Sequence, residues 1–355
     1  MKTNHNFYLD LAFNLASNHL GKTNLNPSVG CIITKNNSII SSGTTSIKGR
    51  PHAEFNALSK NIDFKDSTMY VTLEPCSHYG LTPPCTKLIG RKKIKKVFFC
   101  HNDPDRRSYK KAKKNLKKLK INLIQIKSRN KDFYKSYYLN KRSNLPLVDG
   151  KIAISKDFFT INKRLKWITN YRSRTISHLL RSRYDTIVST SRSINADNSL
   201  LNCRINGLNK YKPDLIIIDR KLKLKKKLKL FNITNKRKTY IFTSSQNTKK
   251  IKYFKNKNCK IVKINNLENE DDFKFFLKIL FKLGKRRVLV ESGLTFLNYL
   301  LKYKMINELF VFKSGIMLKK DGMNNSHTDF IKNFYYGKSL QVNLLNDKLF
   351  KIKTQ

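Results

Sequence analysis

At 355 residues, 39% of them hydrophobic, the chain is long enough for two ordinary domains with buried cores. No run of about 18 apolar residues appears, which excludes a membrane-spanning helix. Asp10, Asn14 and Asn18 break the N-terminal stretch that a secretory signal would keep apolar, so a cytoplasmic protein is expected. The net charge of +51 suggests a polyanion partner at first sight, but the lysines are scattered from KKLK near 117 to KLKLKKKLKL at 221–230. Heavy use of asparagine and isoleucine beside them reads as drift toward A/T-rich codons. No specific nucleic-acid partner is expected, only weak non-specific binding.

In chain order, Phe7, Leu11, Ala12, Leu15 and Ala16 form a helical stripe over 7–20. VGCIIT (29–34) and SIISSG (38–43) flank KNN as a hairpin. PHAEFNALSK starts a helix, TMYVTL and KVFFC are strands, and a lysine-rich helix over about 109–120 leads to the strand NLIQI. A layered α/β domain over 1–145 is expected, ending near Asn144-Leu145-Pro146, followed by a second over 146–355. There LVDGKIAI, DTIVST, DLIIID, RRVLVESG and ELFVFKSG read as strands, and RSRTISHLLRSRY and FLNYLLK as helices. No internal repeat and no GxGxxG occurs, so a Rossmann dinucleotide site has no support.

Four of the six cysteines (Cys31, Cys100, Cys203, Cys259) sit singly. Cys76 and Cys85 share the proline-rich loop EPCSHYGLTPPC, with eight residues between them. Either they pair with each other, which an intracellular chain disfavours, or they await ligands from elsewhere. PHAE supplies a candidate in His52. One His and two Cys form a three-ligand zinc set with a fourth position open to water, the catalytic arrangement, and one zinc per chain is expected. Glu54, two residues on, is placed to shuttle a proton from that water. His-x-Glu followed by Pro-Cys in this order is the general zinc-deaminase pattern.

NPSVGCII, PHAE and YVTLEPCSHYGLTPPC closely resemble the deaminase half of the bifunctional riboflavin-biosynthesis deaminase/reductase family, which carries the long S-H-x-G-x-T-P-P insertion between its cysteines. KIAISKD, KWIT, HLLRSRYDTIVSTS, NADNSLLNCR, LIIID and VLVESGLTF track the reductase half in order, so the resemblance covers essentially the whole chain. It implies a cytidine-deaminase-like α/β/α domain followed by a dihydrofolate-reductase-like α/β domain. The implied reactions are deamination of a diaminopyrimidine ribosyl phosphate, then NADPH-dependent reduction of its ribose to a ribityl chain. The substrate is then a small pyrimidine nucleotide and the assembly a homo-oligomer. Carried over position by position, Ala153, Trp167, Ser193 and Asp197 face the cofactor. Gly293, Leu294, Thr295, Phe296, Leu297, Asn298 and Tyr299 wrap its phosphates, where a glycine at a helix start leaves amides exposed. Arg181, Leu201, Arg204 and Glu291 hold the substrate, the arginines suiting its phosphate.

The chain departs from the family mainly in the second half. The usual S-L-D-G reads Ser155-Lys156-Asp157-Phe158, a substrate-contacting serine is Leu165, a cofactor-contacting serine is Arg220, and the Asp-Pro after Asp197 is Asn198-Ser199. In the cysteine loop a position often basic is Leu81. Three alternatives remain at this stage: a deaminase with a decayed reductase half, an RNA-directed deaminase, and a basic binding protein on a decayed scaffold.

Overall fold

Side chains alternate along the central strands of two large sheets and are buried on both faces there. The computed structural model describes residues 4–127, 130–208 and 212–354. It comprises two units, the first ending at Asn144 and the second beginning at Leu145.

In the first unit, α1 (His5–Ser17) starts where the Asn4 side chain accepts the Phe7 amide, and it buries Leu9, Ala12, Phe13 and Ala16. β1 (Gly30–Lys35) and β2 (Ser38–Thr44) form the expected hairpin, turned by Asn36 and Asn37 in left-handed conformations. Then come α2 (Ala53–Leu58), β3 (Thr68–Leu73), α3 (Cys85–Arg91), β4 (Lys96–His101), α4 (Ala112–Lys118), β5 (Asn122–Gln125) and α5 (Lys135–Ser143). The sheet order is β2-β1-β3-β4-β5, antiparallel across the first three strands and parallel across the last three. Two glycines let the helices lie at backbone distance. A Cβ on Gly30 would fall 1.8 Å from the Ala12 carbonyl oxygen of α1, and one on Gly43 would fall 2.4 Å from the Ala53 oxygen of α2. The lysine-rich helix is shorter than expected. The Ser108 and Tyr109 amides turn back onto the Asp105 carbonyl, and Lys110 takes a φ of +55°, so regular helix begins only at Ala112.

The second unit contains β6 (Leu147–Ile154), β7 (Ile161–Asn162), α6 (Tyr171–Arg181), β8 (Thr186–Thr190), α7 (Ser191–Asp197), β9 (Asp214–Ile218), β10 (Thr239–Thr243), α8 (Thr248–Asn256) and β11 (Cys259–Lys263). It continues with α9 (Glu270–Lys282), β12 (Arg287–Val290), α10 (Leu294–Lys302), β13 (Glu308–Lys313), β14 (Gly322–Met323), α11 (Asp329–Asn333) and β15 (Lys348–Lys353). Eight strands pair in the order β11-β10-β9-β8-β12-β6-β13-β15, all parallel except β15. Val188, Ile216, Ile218 and Phe242 pack on one face with Phe273 and Phe276 of α9 and Leu297 of α10. Ile187, Leu215, Ile217 and Ile241 pack on the other with Ile194 of α7 and Phe254 of α8. Burial on both faces explains why these strands read as continuous apolar runs. No helix among the described residues is long and apolar enough to cross a membrane.

Candidate active sites of the two units

β3 ends at Leu73 and delivers Glu74-Pro75-Cys76 to the carboxyl edge of the sheet. The buried Glu74 carboxylate accepts the amides of Asp103 (3.2 Å), Lys110 (3.0 Å) and Ala112 (3.2 Å), fixing the start of the cysteine loop. Ser108, fully buried, accepts the Ser77 amide at 3.2 Å and meets His78 Nδ1 at 2.8 Å. α2 begins directly after His52, so Pro51 stands one residue outside the first turn rather than in it. α3 begins at Cys85, directly after Pro84. Pro84 is the residue that caps α3, its φ of −63° set by the ring, and Pro51 stands directly before the cap of α2.

These elements bring the predicted donors together. His52 Nδ1 lies 3.7 Å from Cys76 Sγ and 3.6 Å from Cys85 Sγ, and the three donor atoms lie within 4.8 Å of one another. Tetrahedral zinc, with Zn–S about 2.3 Å and Zn–N about 2.0–2.1 Å, requires N···S edges of roughly 3.5 Å, so the donor set fits the ion. Both cysteines are free thiols, which removes the disulfide alternative. The Cys85 side chain is the main influence holding the Cys76 thiol down at about 4, helped by His52 and by the Cys85 amide, which donates to Cys76 Sγ at 3.2 Å. A thiolate is therefore present for a metal at neutral pH. Glu54 is 4% exposed, and burial together with the Cys76 charge pushes its carboxyl up to about 7. A carboxyl poised near neutrality can both accept and return a proton. Purified protein is expected to hold close to one zinc per chain, and Cys85→Ser to hold far less, by elemental analysis; full zinc in that variant would exclude this donor set.

In the second unit Arg181 closes α6 and Glu291 follows β12. They form a bidentate pair, Nε to Oε1 at 2.5 Å and Nη2 to Oε2 at 2.9 Å, with side chains only 12% and 7% exposed. Burial alone would raise the Glu291 carboxyl, but Arg181 and Lys151 outweigh it and hold it down at about 2. Arg181 Nη1 also donates to the Asn202 carbonyl at 3.1 Å, and Arg204 donates to Asn202 Oδ1 at 2.8 Å. Three of the four expected substrate residues thus converge around Asn202. Leu201 is next in the chain, but its side chain is core; its φ of +44° is held by Arg237, which donates to its carbonyl at 2.6 Å.

The expected cofactor residues meet only in part. Ser193 Oγ accepts the Gly293 amide at 3.0 Å and lies 3.1 Å from Thr190 Oγ1, joining the starts of α7 and α10. Along 293–299, Leu294, Phe296 and Leu297 are core, and Asn298 donates to the His327 carbonyl at 2.9 Å. Tyr299 stacks on Phe273, and Thr295 is exposed. Trp167 is 52% exposed, with Arg174 and Lys166 5.0 and 5.3 Å from its ring. Asp197 is exposed at the end of α7, and Ala153 is half-buried on β6.

Lys151 was missed. Its Nζ lies 3.7 Å from Glu291 Oε2, and the available signal was a lysine inside β6, whose next residue Ile152 is core. Among the departures, Phe158 has a φ of +67°, where the usual glycine carries no Cβ penalty. Its ring lies 4.0 Å from Lys313 Nζ and edge-on to Tyr336, contacts that offset the strain. Leu165 is 65% exposed. Arg220 pairs with Glu268 at 3.1 Å, and its carbonyl accepts the Ser244 amide at the carboxyl end of β10.

Comparison with known proteins gives the family of both units. Residues 2–101 match the cytidine and deoxycytidylate deaminase zinc-binding region, and residues 148–321 the RibD C-terminal domain. The riboflavin biosynthesis protein RibD of Aquifex aeolicus is 32% identical over 319 residues, covering 86% of this chain and 85% of that protein. RibD of Buchnera aphidicola is 32% identical over 323 residues, with 86% of each chain covered. The deaminase/reductase structure from Thermotoga maritima superposes with a TM-score of 0.82 at 25% identity, over 98% of both chains. The fold is the expected pair, a cytidine-deaminase-like domain followed by a dihydrofolate-reductase-like domain. The chain belongs to the RibD family of riboflavin biosynthesis proteins.

Proposed function

We propose that the chain carries out both riboflavin-pathway steps of its family: hydrolytic deamination of 2,5-diamino-6-ribosylamino-4(3H)-pyrimidinone 5′-phosphate, then reduction of the ribosyl side chain to give 5-amino-6-ribitylamino-uracil 5′-phosphate. The observation that carries the reading is the His52–Cys76–Cys85 donor set with buried Glu54 beside it. A zinc ion held by those donors would supply a water activated at neutral pH. Glu54 holds the proton, taking it from the nucleophile and returning it to the departing amine. Its burial keeps bulk water from competing for that proton.

In the second unit a dinucleotide fits the hydroxyls of Ser193, Thr190 and the exposed Thr295 at the start of α10, and the exposed ring of Trp167. We assign NADPH as the hydride source on the family resemblance. Arg181, Arg204 and Glu291 hold the substrate, and Lys151 Nζ keeps a proton beside the Glu291 carboxylate for the ribose ring oxygen. An open cavity of about 490 Å³, lined by Ser244, Gln246 and Lys263, adjoins Arg220 through Ser244. It suits the phosphate-bearing adenosine end of the cofactor. The deciding experiment is mass-spectrometric product identification from the diaminopyrimidine nucleotide, with and without NADPH. Ring deamination without NADPH and the ribityl product with it are expected; deamination alone would leave a single-activity enzyme. NADPH affinity is expected to weaken across a salt series and Arg220→Ser to flatten that dependence, measured by fluorescence titration. Equal slopes would remove Arg220 from the cofactor site.

A further inference from the structure

A substrate bearing a 5′-phosphate brings a dianion to the first unit, where His52, Cys76, Cys85 and Glu54 offer it no cation suited to bidentate capture. We propose that Arg50 is the phosphate-recognising residue of the deaminase site. The inference rests on the deaminase reading above and goes beyond it. Arg50 lies two residues before His52, and its Nη1 donates to Thr82 Oγ1 at 2.9 Å. Its Nη2 lies 3.5 Å from the position a Cβ on Gly80 would take. The guanidinium thus reaches from the His52 segment to the loop that delivers Cys85.

The backbone beneath Arg50 is braced. Lys48 N–H donates to the Lys22 carbonyl at 2.8 Å, Gly49 N–H to Ser46 at 2.8 Å, and Ser46 N–H to Pro51 at 3.0 Å. Asn26 Nδ2 donates to the Gly49 carbonyl at 2.8 Å. Gly49 has a φ of +93°, and a Cβ there would fall 2.4 Å from the Thr23 oxygen, so the turn requires glycine. The turn fixes where the Arg50 side chain leaves the backbone, and the Thr82 bond orients its guanidinium, which lowers the ordering cost of binding. Its charge is also uncommitted: among the described residues no carboxylate lies within ion-pair distance of Arg50, whose hydrogen bond is to a neutral hydroxyl. Most of its five N–H donors therefore remain for a ligand, and a guanidinium takes two phosphate oxygens at once. Leu81, 86% exposed beside Thr82, brings no charge, and Lys87 is turned to the Tyr79 hydroxyl at 2.7 Å.

The test compares deamination of the pyrimidine nucleotide and of its dephosphorylated nucleoside by full-length wild type, Arg50→Ala and the double variant Arg50→Ala/Leu81→Lys, with zinc content measured on each. Arg50→Ala is expected to raise KM for the nucleotide about 10- to 100-fold, with kcat and zinc little changed and the nucleoside unaffected. Leu81→Lys should recover part of that loss. Equal impairment on both substrates would mean that Arg50 only straps the two loops together, and an unchanged nucleotide KM would also overturn the assignment. Wild type that deaminates neither compound would instead overturn the deaminase reading, and this assignment with it.

Discussion

Glu54→Gln is expected to abolish measurable deamination while leaving zinc content and the reductase reaction in place. The substitution keeps the shape of a side chain that is 4% exposed on the second residue of α2, so the helix and its contact with β2 through Gly43 are undisturbed. What it removes is a proton carrier whose carboxyl stands near 7 because burial and the neighbouring Cys76 charge disfavour its ionised form. General acid–base catalysis is worth about 10²- to 10⁴-fold, and more where one group serves successive steps. Turnover of the diaminopyrimidine nucleotide, zinc by elemental analysis and reduction of pre-deaminated substrate separate the roles. Near-normal deamination by Glu54→Gln would refute the assigned role, and loss of zinc with it would make Glu54 a structural partner of the donors.

The zinc site was legible because it is written in short local segments. His52 and Glu54 stand two residues apart at one helix start, Cys85 opens another helix, and Cys76 follows a strand end. A proline precedes each of the two helices, so order and spacing along the chain predict proximity in space. The second unit was harder to read. Only the resemblance grouped Arg181 with Glu291, because the two meet in a buried pair across 110 positions of sequence. Lys151 escaped notice because its partner Glu291 lies just past β12, a strand brought beside β6 only by sheet order. β10, β11 and α9 were not anticipated. The basic run NKRK directly before TYIFT, and lysines inside CKIVK and the amphipathic EDDFKFFLKILFK, obscure the apolar periodicity that the fold then uses. Resemblance placed the residues of 293–299 near a ligand, but could not say that Leu294 and Leu297 point into the core.

Replacing Glu291 with alanine is expected to unfold the second unit at markedly lower denaturant and to abolish reduction. The change leaves the Arg181 guanidinium and the Lys151 ammonium in a largely buried setting without the carboxylate that both face. Breaking one side of a buried ion pair costs about 3–5 kcal/mol, because the remaining charge stays desolvated. Trp167, the single tryptophan, lies in this unit and is 52% exposed, so its fluorescence reports the transition. Zinc bound by the first unit serves as the internal control. The pH dependence fixes the sign. Glu291 titrates at about 2 when folded, below its ordinary value of 4.5, so its contribution is fully present above pH 4.5 and is lost as pH falls through about 2. That depression corresponds to about 3 kcal/mol at neutral pH. The stability gap between wild type and Glu291→Gln should therefore be widest near neutrality and close on acidification. Loss of Glu291 also removes the negative charge that opposes the desolvation of Lys151, so Lys151 gives up its proton at lower pH. A Glu291→Ala protein with the wild-type unfolding midpoint and normal NADPH oxidation would show that the cluster neither holds the unit together nor serves its chemistry.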